Sequence, residues 1–219
     1  MNTIASLSPL PTVGLGLVST HSKPAYDPFK RAFDVLTAVV LLTFLSPLLL
    51  LIIVLVRLSS PGCAVFRQQR LTKGGKVFTM YKFRTMCVDA ETKSGAVFAS
   101  ANDPRITAIG KFLRRTRLDE LPQLANVLLG DMSLVGPRPE RPELLPALVN
   151  DHPLFEDRLR VVAGLTGLAQ VCVGYSASPR QYRHKLACDR LYVQHRSAGL
   201  DMWILFKTVA VVWTGKGAV

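Results

Sequence analysis

The strongest hydrophobic signal in the chain lies between Asp34 and Arg57, where residues 35–56 carry no charge and are dense in Leu, Val and Ile. As one straight helix this run would measure roughly 33 Å, enough to span a hydrocarbon core. Ser46-Pro47 falls at its centre. A proline there lacks a backbone donor and crowds the carbonyl four residues back, so a bend is expected, with the Ser46 hydroxyl able to bond back to the Leu42 carbonyl. Three arrangements are open: a broken, re-entrant helix with both ends on one side of a membrane, a straight single span, and a buried helix of a soluble core. Lys30 and Arg31 precede the run, and Arg57, Arg67, Arg70, Lys73 and Lys76 follow it. The positive-inside tendency draws both flanks toward the cytoplasm and favours the re-entrant form.

Elsewhere the pattern changes from block to block. Met1 to about Tyr26 is rich in Ser, Pro, Gly and Thr without sustained periodicity, which predicts a flexible arm; no basic residue precedes its modest apolar content, against a cleaved signal peptide. Residues 64–84 alternate imperfectly around Lys73-Gly74-Gly75-Lys76 and predict two short strands. A mobile loop is expected from Cys87 to Asn102, a turn at Asp103-Pro104, and a further element from Ile106 to Arg115. Asp119 to Leu129 reads as a helix stopped by Gly130. Further helices are expected over Glu143–Val149, Phe155–Arg160 and Gln181–Arg196, with a turn and short strand over Gly164–Gln170. Leu200–Trp213 is almost wholly apolar, either a packed C-terminal helix or one at a membrane interface, where Trp203 and Trp213 would suit the headgroup region. The sum is a mixed α/β fold, mainly α: an arm over 1–26, a membrane helix over 27–60 and one compact domain over 61–219.

The 219 residues carry a net charge of +12 while 49% of them are apolar, a combination that fits neither a disordered tail nor a neutral soluble domain. Apolar surface and positive charge together call for an anionic partner: a membrane face, nucleic acid or a phosphorylated metabolite. Cys63, Cys87, Cys172 and Cys188 are far apart in sequence and read as free thiols in a reducing compartment. The scattered histidines form no zinc pattern. Neither GxGxxG nor GxxxxGK[ST] occurs, so nucleotide-binding loops of those kinds have no support.

Candidate chemistry concentrates after a basic stretch. Asp119 and Glu120 follow Lys111, Arg114, Arg115 and Arg117. A solvated, charged helix start accounts for the pair economically, since acids suit a first helical turn. Pro122 argues that such a helix begins at the acids, because a capping box from Thr116 would put the proline inside it. Free backbone donors and arginines there could hold a diphosphate, one carboxylate facing phosphorus and the other a bridging magnesium ion. Arg138 sits between Pro137 and Pro139 and is either a structural surface arginine or a stiffly presented phosphate grip. Arg67, Arg70, Lys82 and Arg84 alternate with Tyr81 and Phe83, a pattern open to phosphates or nucleobases and similar to a nucleic-acid surface.

The motifs occur in a recognisable order: Lys30-Arg31-Ala32-Phe33-Asp34, the proline-broken apolar run, Tyr81-Lys82-Phe83-Arg84-Thr85-Met86, Asp103-Pro104-Arg105-Ile106-Thr107, Leu118-Asp119-Glu120-Leu121-Pro122-Gln123-Leu124, Gly130-Asp131-Met132-Ser133-Leu134-Val135-Gly136-Pro137-Arg138-Pro139-Glu140, and Gly164-Leu165-Thr166-Gly167. From about Lys30 to Gly217 the chain resembles the bacterial sugar transferases that act as monotopic polyprenol-phosphate phosphoglycosyl transferases. The resemblance implies transfer of a sugar 1-phosphate from a UDP-sugar to undecaprenyl phosphate with release of UMP, starting a surface or exopolysaccharide. It implies Asp119 as nucleophile, Glu120 as the magnesium-associated carboxylate, Arg138 as a phosphate-binding arginine and Lys82 as a further cation, with Arg84 as an additional phosphate-binding candidate. It also implies Mg2+ as cofactor, a monotopic protein of the bacterial inner membrane among its lipids, a re-entrant helix and a catalytic domain on the cytoplasmic face. It leaves room for a homo-oligomer and expects no nucleic acid. The compact form suggests an exopolysaccharide initiator using glucose or galactose. Leu168 and Cys172-Val173 stand where relatives commonly carry Trp and an Asn-Gly pair. Two readings from other classes compete: a membrane-tethered nucleic-acid-binding protein and a non-catalytic scaffold of polysaccharide assembly.

Overall fold

The structure, a computed structural model, describes residues 23–87, 103–152, 154–173 and 179–214. The expected arm (1–26) and the loop Cys87–Asn102 therefore lie almost wholly outside the described residues, and Tyr26 already belongs to the first helix. That helix, α1 (Tyr26–Ser59), is continuous through Pro47. The proline leaves the Thr43 carbonyl without its backbone donor. The Ser46 hydroxyl donates to that carbonyl at 2.8 Å. The acceptor is thus Thr43 and not the expected Leu42, because Thr43 is the carbonyl that Pro47 orphans.

After α1, the strands β1 (Val65–Leu71) and β2 (Val77–Phe83) form an antiparallel hairpin around a 3₁₀ turn at Lys73–Gly75. Then come α2 (Ala108–Thr116), a 3₁₀ turn at Leu118–Glu120, α3 (Gln123–Leu129) and β3 (Met132–Val135). A 3₁₀ turn at Pro142–Leu144, α4 (Leu145–Asp151) and a longer 3₁₀ stretch at Phe155–Arg160 lead to β4 (Ala163–Thr166), which pairs parallel with β3. α5 (Leu168–Cys172), α6 (Pro179–His195) and α7 (Ala198–Thr214) complete a mixed, mainly helical fold. Three expectations are corrected. Asp119–Leu129 is not one helix but a 3₁₀ turn followed by α3; Phe155–Arg160 is 3₁₀; and the short strand ends at Thr166, where Gly167 gives way to α5.

One face of α1 is buried at Asp34 and Ala38 and again at Ile52 and Val56. Asp34 and Ile52 are about five whole turns apart at 3.6 residues per turn, so they share that face. The far side exposes Leu36, Val40, Phe44, Leu51, Leu55 and Leu58. Ala38 joins a core with Phe78, Met80, Leu124, Val127, Leu134, Tyr192 and Ile204. Ile52 and Val56 join a second with Ala64, Phe83 and Leu113, against which Leu118 packs. Each large apolar side chain so buried contributes about 1.5–3 kcal/mol, so both halves of α1 are held to the same body.

Polar ties repeat this at both ends. Near the start, Lys30 donates to Asp201 of α7 at 2.6 Å, and Asp34 accepts from the Ser133 hydroxyl at 2.7 Å and the Leu134 N–H at 3.3 Å. Arg31 donates to the carbonyls of Val127 and Leu128, the last turn of α3. Gly130 ends that helix at φ 88°, a left-handed conformation that an L side chain rarely adopts. At the far end of α1, Arg84 donates to the carbonyls of Ser60 and Pro61 at 2.7 Å each and reaches that of Val56 at 3.4 Å.

Candidate active site

The acidic pair owes its position to a backbone reversal. Arg117 ends α2 in the left-handed region (φ 60°, ψ 10°), and among the described residues it is the only non-glycine with positive φ. Such a conformation is uncommon for an arginine, and the surroundings have to impose it. The 3₁₀ turn that follows is closed by Glu120 N–H to the Arg117 carbonyl (3.2 Å) and Leu121 N–H to the Leu118 carbonyl (3.3 Å). Leu118 packs with Ile52 and Leu113, so the turn is seated against the second half of α1. Pro122 is the N-cap of α3, where its missing N–H costs nothing. The expected helix start at Asp119 is therefore displaced: the acids sit on the turn ahead of the helix.

Around Glu120 the structure brings together three of the residues singled out in the sequence. Arg138 grips its carboxylate with both terminal nitrogens, Nη2 to Oε1 at 2.5 Å and Nη1 to Oε2 at 3.3 Å. Lys82, from β2, donates to Oε1 at 3.2 Å. Burial pushes the Glu120 carboxyl up, but Arg138 and Lys82 outweigh it and hold the group far below the usual carboxylate range. Asp119 is 8% exposed and balances the other way. Its burial, and then the charge of Glu120, raise its pKa to about 6, against the opposing pull of Lys82, Arg138 and Arg114. Two adjacent carboxylates thus differ in proton affinity: Glu120 is a fixed anion that anchors cations, and Asp119 is a buried group with a late-leaving proton.

Two supporting residues were not singled out as site residues in the sequence. Arg114 faces Asp119 electrostatically and is held by the Thr85 hydroxyl at 2.8 Å. Asn126, fully buried on α3, donates to the Thr79 carbonyl at 2.7 Å and accepts from the Tyr81 N–H at 3.0 Å, locking the strand that carries Lys82. A polar residue inside an apolar helical stretch was the signal for it. Arg84 is not brought to this cluster: its guanidinium caps the end of α1. Arg67 lies over the Tyr81 ring at 6.0 Å, and Arg70 donates to the Pro139 carbonyl and to Gln68, so the basic and aromatic alternation that also suited a nucleic-acid surface is spent on internal contacts.

Magnesium favours hard oxygen donors and commonly takes one or two carboxylates together with substrate phosphates. Glu120, the expected magnesium-associated carboxylate, already meets Lys82 and Arg138 through its two oxygens, so an ion held there would draw most of its ligands from substrate phosphates; among the described residues no cluster of three or more acidic, histidine or cysteine side chains offers a complete protein cage. Held by Glu120, such an ion would supply positive charge to a phosphate group.

A buried carboxylate with raised proton affinity, a neighbour that pins two cations, and a long apolar helix docked over the turn that bears them together make this cluster the candidate active site. The chain belongs to the bacterial sugar transferase family, whose profile matches residues 25–215. It is 44% identical over 202 residues to the UDP-N-acetylgalactosamine-undecaprenyl-phosphate N-acetylgalactosaminephosphotransferase of Aeromonas hydrophila, a match covering 92% of this chain and 48% of that protein. It is also 44% identical over 197 residues to an exopolysaccharide production protein of Rhizobium leguminosarum bv. phaseoli, covering 86% and 97%. Against the UDP-glucose:undecaprenyl-phosphate glucose-1-phosphate transferase of Klebsiella pneumoniae it is 40% identical over 195 residues, covering 87% and 41%. The chain thus spans about half the length of the Aeromonas relative and nearly all of the Rhizobium one.

Proposed function

We propose that this protein transfers a sugar 1-phosphate from a UDP-sugar to undecaprenyl phosphate, releasing UMP and starting a surface polysaccharide. The observation that carries the reading is Asp119: a buried carboxylate beside a pinned Glu120, with Lys82 and Arg138 on that neighbour. An Asp119 oxygen attacks the phosphorus that bears the sugar; the bond from that phosphorus to the bridging oxygen breaks, and UMP leaves with the electron pair. An oxygen of undecaprenyl phosphate then attacks the same phosphorus, and the Asp119 carboxylate leaves unchanged. Arg138 and Lys82 supply preorganised positive charge to the non-bridging oxygens as charge develops there. The sugar is left open, since the relatives' names include both N-acetylgalactosamine and glucose.

The same reading assigns α1 to the membrane as a helix that enters from the cytoplasmic face and returns to it. Its 34 residues and high hydropathy are enough to cross a membrane by length and composition. Both of its ends, however, are tied to one domain, and its exposed face is almost wholly apolar, which supports insertion without crossing. Cysteine probes placed at either end should be shielded from an impermeant outside reagent in intact spheroplasts. Outside labelling of one end alone would establish a single span.

The chemistry is tested by mixing purified protein with magnesium and a panel of UDP-sugars without lipid acceptor. One sugar-phosphate mass should appear on the peptide bearing Asp119, and Asp119→Asn should abolish both this adduct and lipid product. Normal lipid product from a folded Asp119→Asn protein, free of deamidation, would reject the nucleophile.

A further inference from the structure

The Pro137-Arg138-Pro139-Glu140 segment belongs to no helix or strand. Its two prolines have no N–H, so the carbonyls are the handles by which it can be held. Each carbonyl has its own donor: Pro137 from the Gly164 N–H (2.9 Å), Arg138 from Arg158 Nη2 (2.6 Å), Pro139 from Arg70 Nη1 (3.2 Å) and Glu140 from the Leu71 N–H (2.9 Å). The first contact depends on close approach, for a Cβ on Gly164 would overlap the backbone of Gly136. The second comes from a side chain buried within the domain.

Arg158 is 3% exposed. Its Nη1 donates to Glu140 Oε1 at 3.0 Å, its Nη2 lies 2.9 Å from Asp189 Oδ2, and its guanidinium stacks over Phe155 at 5.3 Å. Lys185 adds a second cation on Glu140 at 2.5 Å. Two cations and two anions therefore balance one another out of water. Desolvating ions costs several kcal/mol each, and a buried ion group is weak evidence for stability, so its use is to be sought in what it fixes. What it fixes is the backbone of the residue whose side chain grips Glu120.

We propose that Arg158 is a positioning residue for the transfer reaction, holding the Arg138 backbone so that its guanidinium meets Glu120 and the incoming phosphate in a single geometry. The proposal rests on the sugar-phosphate transfer reading. Lysine could not replace Arg158, because one ammonium cannot serve the Arg138 carbonyl, Glu140 and Asp189 in the fixed fork that a guanidinium provides.

The test is a double-mutant cycle on lipid-product turnover, with thermal midpoints measured alongside. Arg158→Met is combined with Asp189→Asn, which removes one cation with one anion and leaves Glu140 paired to Lys185. This protein should fold and lose roughly 10²-fold in kcat, the scale expected of a displaced catalytic group. In an Arg138→Ala background the same pair of changes should cost less than about threefold more, because the route through Arg138 is already gone. A full multiplicative loss in that background, or an unchanged kcat in a folded Arg158→Met/Asp189→Asn protein, overturns the assignment. If that variant does not fold, Lys185→Met weakens the same hold on Glu140 and is judged by the same coupling with Arg138→Ala. A wild-type protein that makes no sugar-diphospho-lipid from any UDP-sugar overturns the transfer reading and the role of Arg158 together; one that does so while the cycle is additive overturns the latter alone.

Discussion

At the scale of single residues, the acidic pair divides its work by environment. Burial and the charge of Glu120 raise the Asp119 pKa to about 6, while Arg138 and Lys82 hold Glu120 low, so the last carboxyl proton of the pair is on Asp119. In the proposed transfer, Asp119 would be a neutral acid and a poor nucleophile below that pH and an ionised, competent one above it. The value of kcat/KM should fall about tenfold per pH unit below roughly pH 6 and level off above it, as a pH series on the purified enzyme would record. Glu120→Gln removes the neighbouring charge that helps raise Asp119, so the acid limb of the residual activity should move to lower pH while the rate itself falls. An acid limb that stays in place would mean another group sets it. Lys82, Glu120 and Arg138 could be named as candidates in advance because their motifs are strong, and the structure brings their side chains into contact. Arg84 was misplaced because alternation along a strand does not say where the strand ends, and Arg84 lies one residue past β2.

At the scale of elements, capping decides more than propensity. Arg84→Ala would take their side-chain donor from the Ser60 and Pro61 carbonyls just past α1 and should lower stability by about 1–3 kcal/mol, read as a drop in thermal midpoint. The folded fraction should keep its kcat, which separates this arginine from Arg138; a large kcat loss at unchanged stability would return Arg84 to the phosphate site. The hairpin around Lys73–Gly75 and the stop at Gly130 could be read from local chemistry, since turn and cap residues announce themselves. The turn bearing Asp119 could not. Pro122 is compatible with a first helical turn and with a cap, and only the left-handed Arg117, a conformation set by packing around it, decides between them. The ion group around Arg158 was equally hidden, because Asp189 reaches Arg158, and Lys185 reaches Glu140, only when α6 is folded against the 3₁₀ stretch.

At the scale of the whole molecule, α1 is joined to the domain by contacts that are remote in sequence. Asp34 waits for Ser133, 99 residues later, and Lys30 for Asp201, 171 residues later. At about 5–20 residues per second, the first of these partners is synthesised roughly five to twenty seconds after Asp34. During that interval Asp34 has Lys30 beside it in the same helix but lacks the Ser133 hydroxyl and the Leu134 N–H that later donate to it. The ties that hold α1 to the domain are thus completed only as Ser133 and Asp201 arrive, a clamp that closes on the helix from the carboxyl-terminal side.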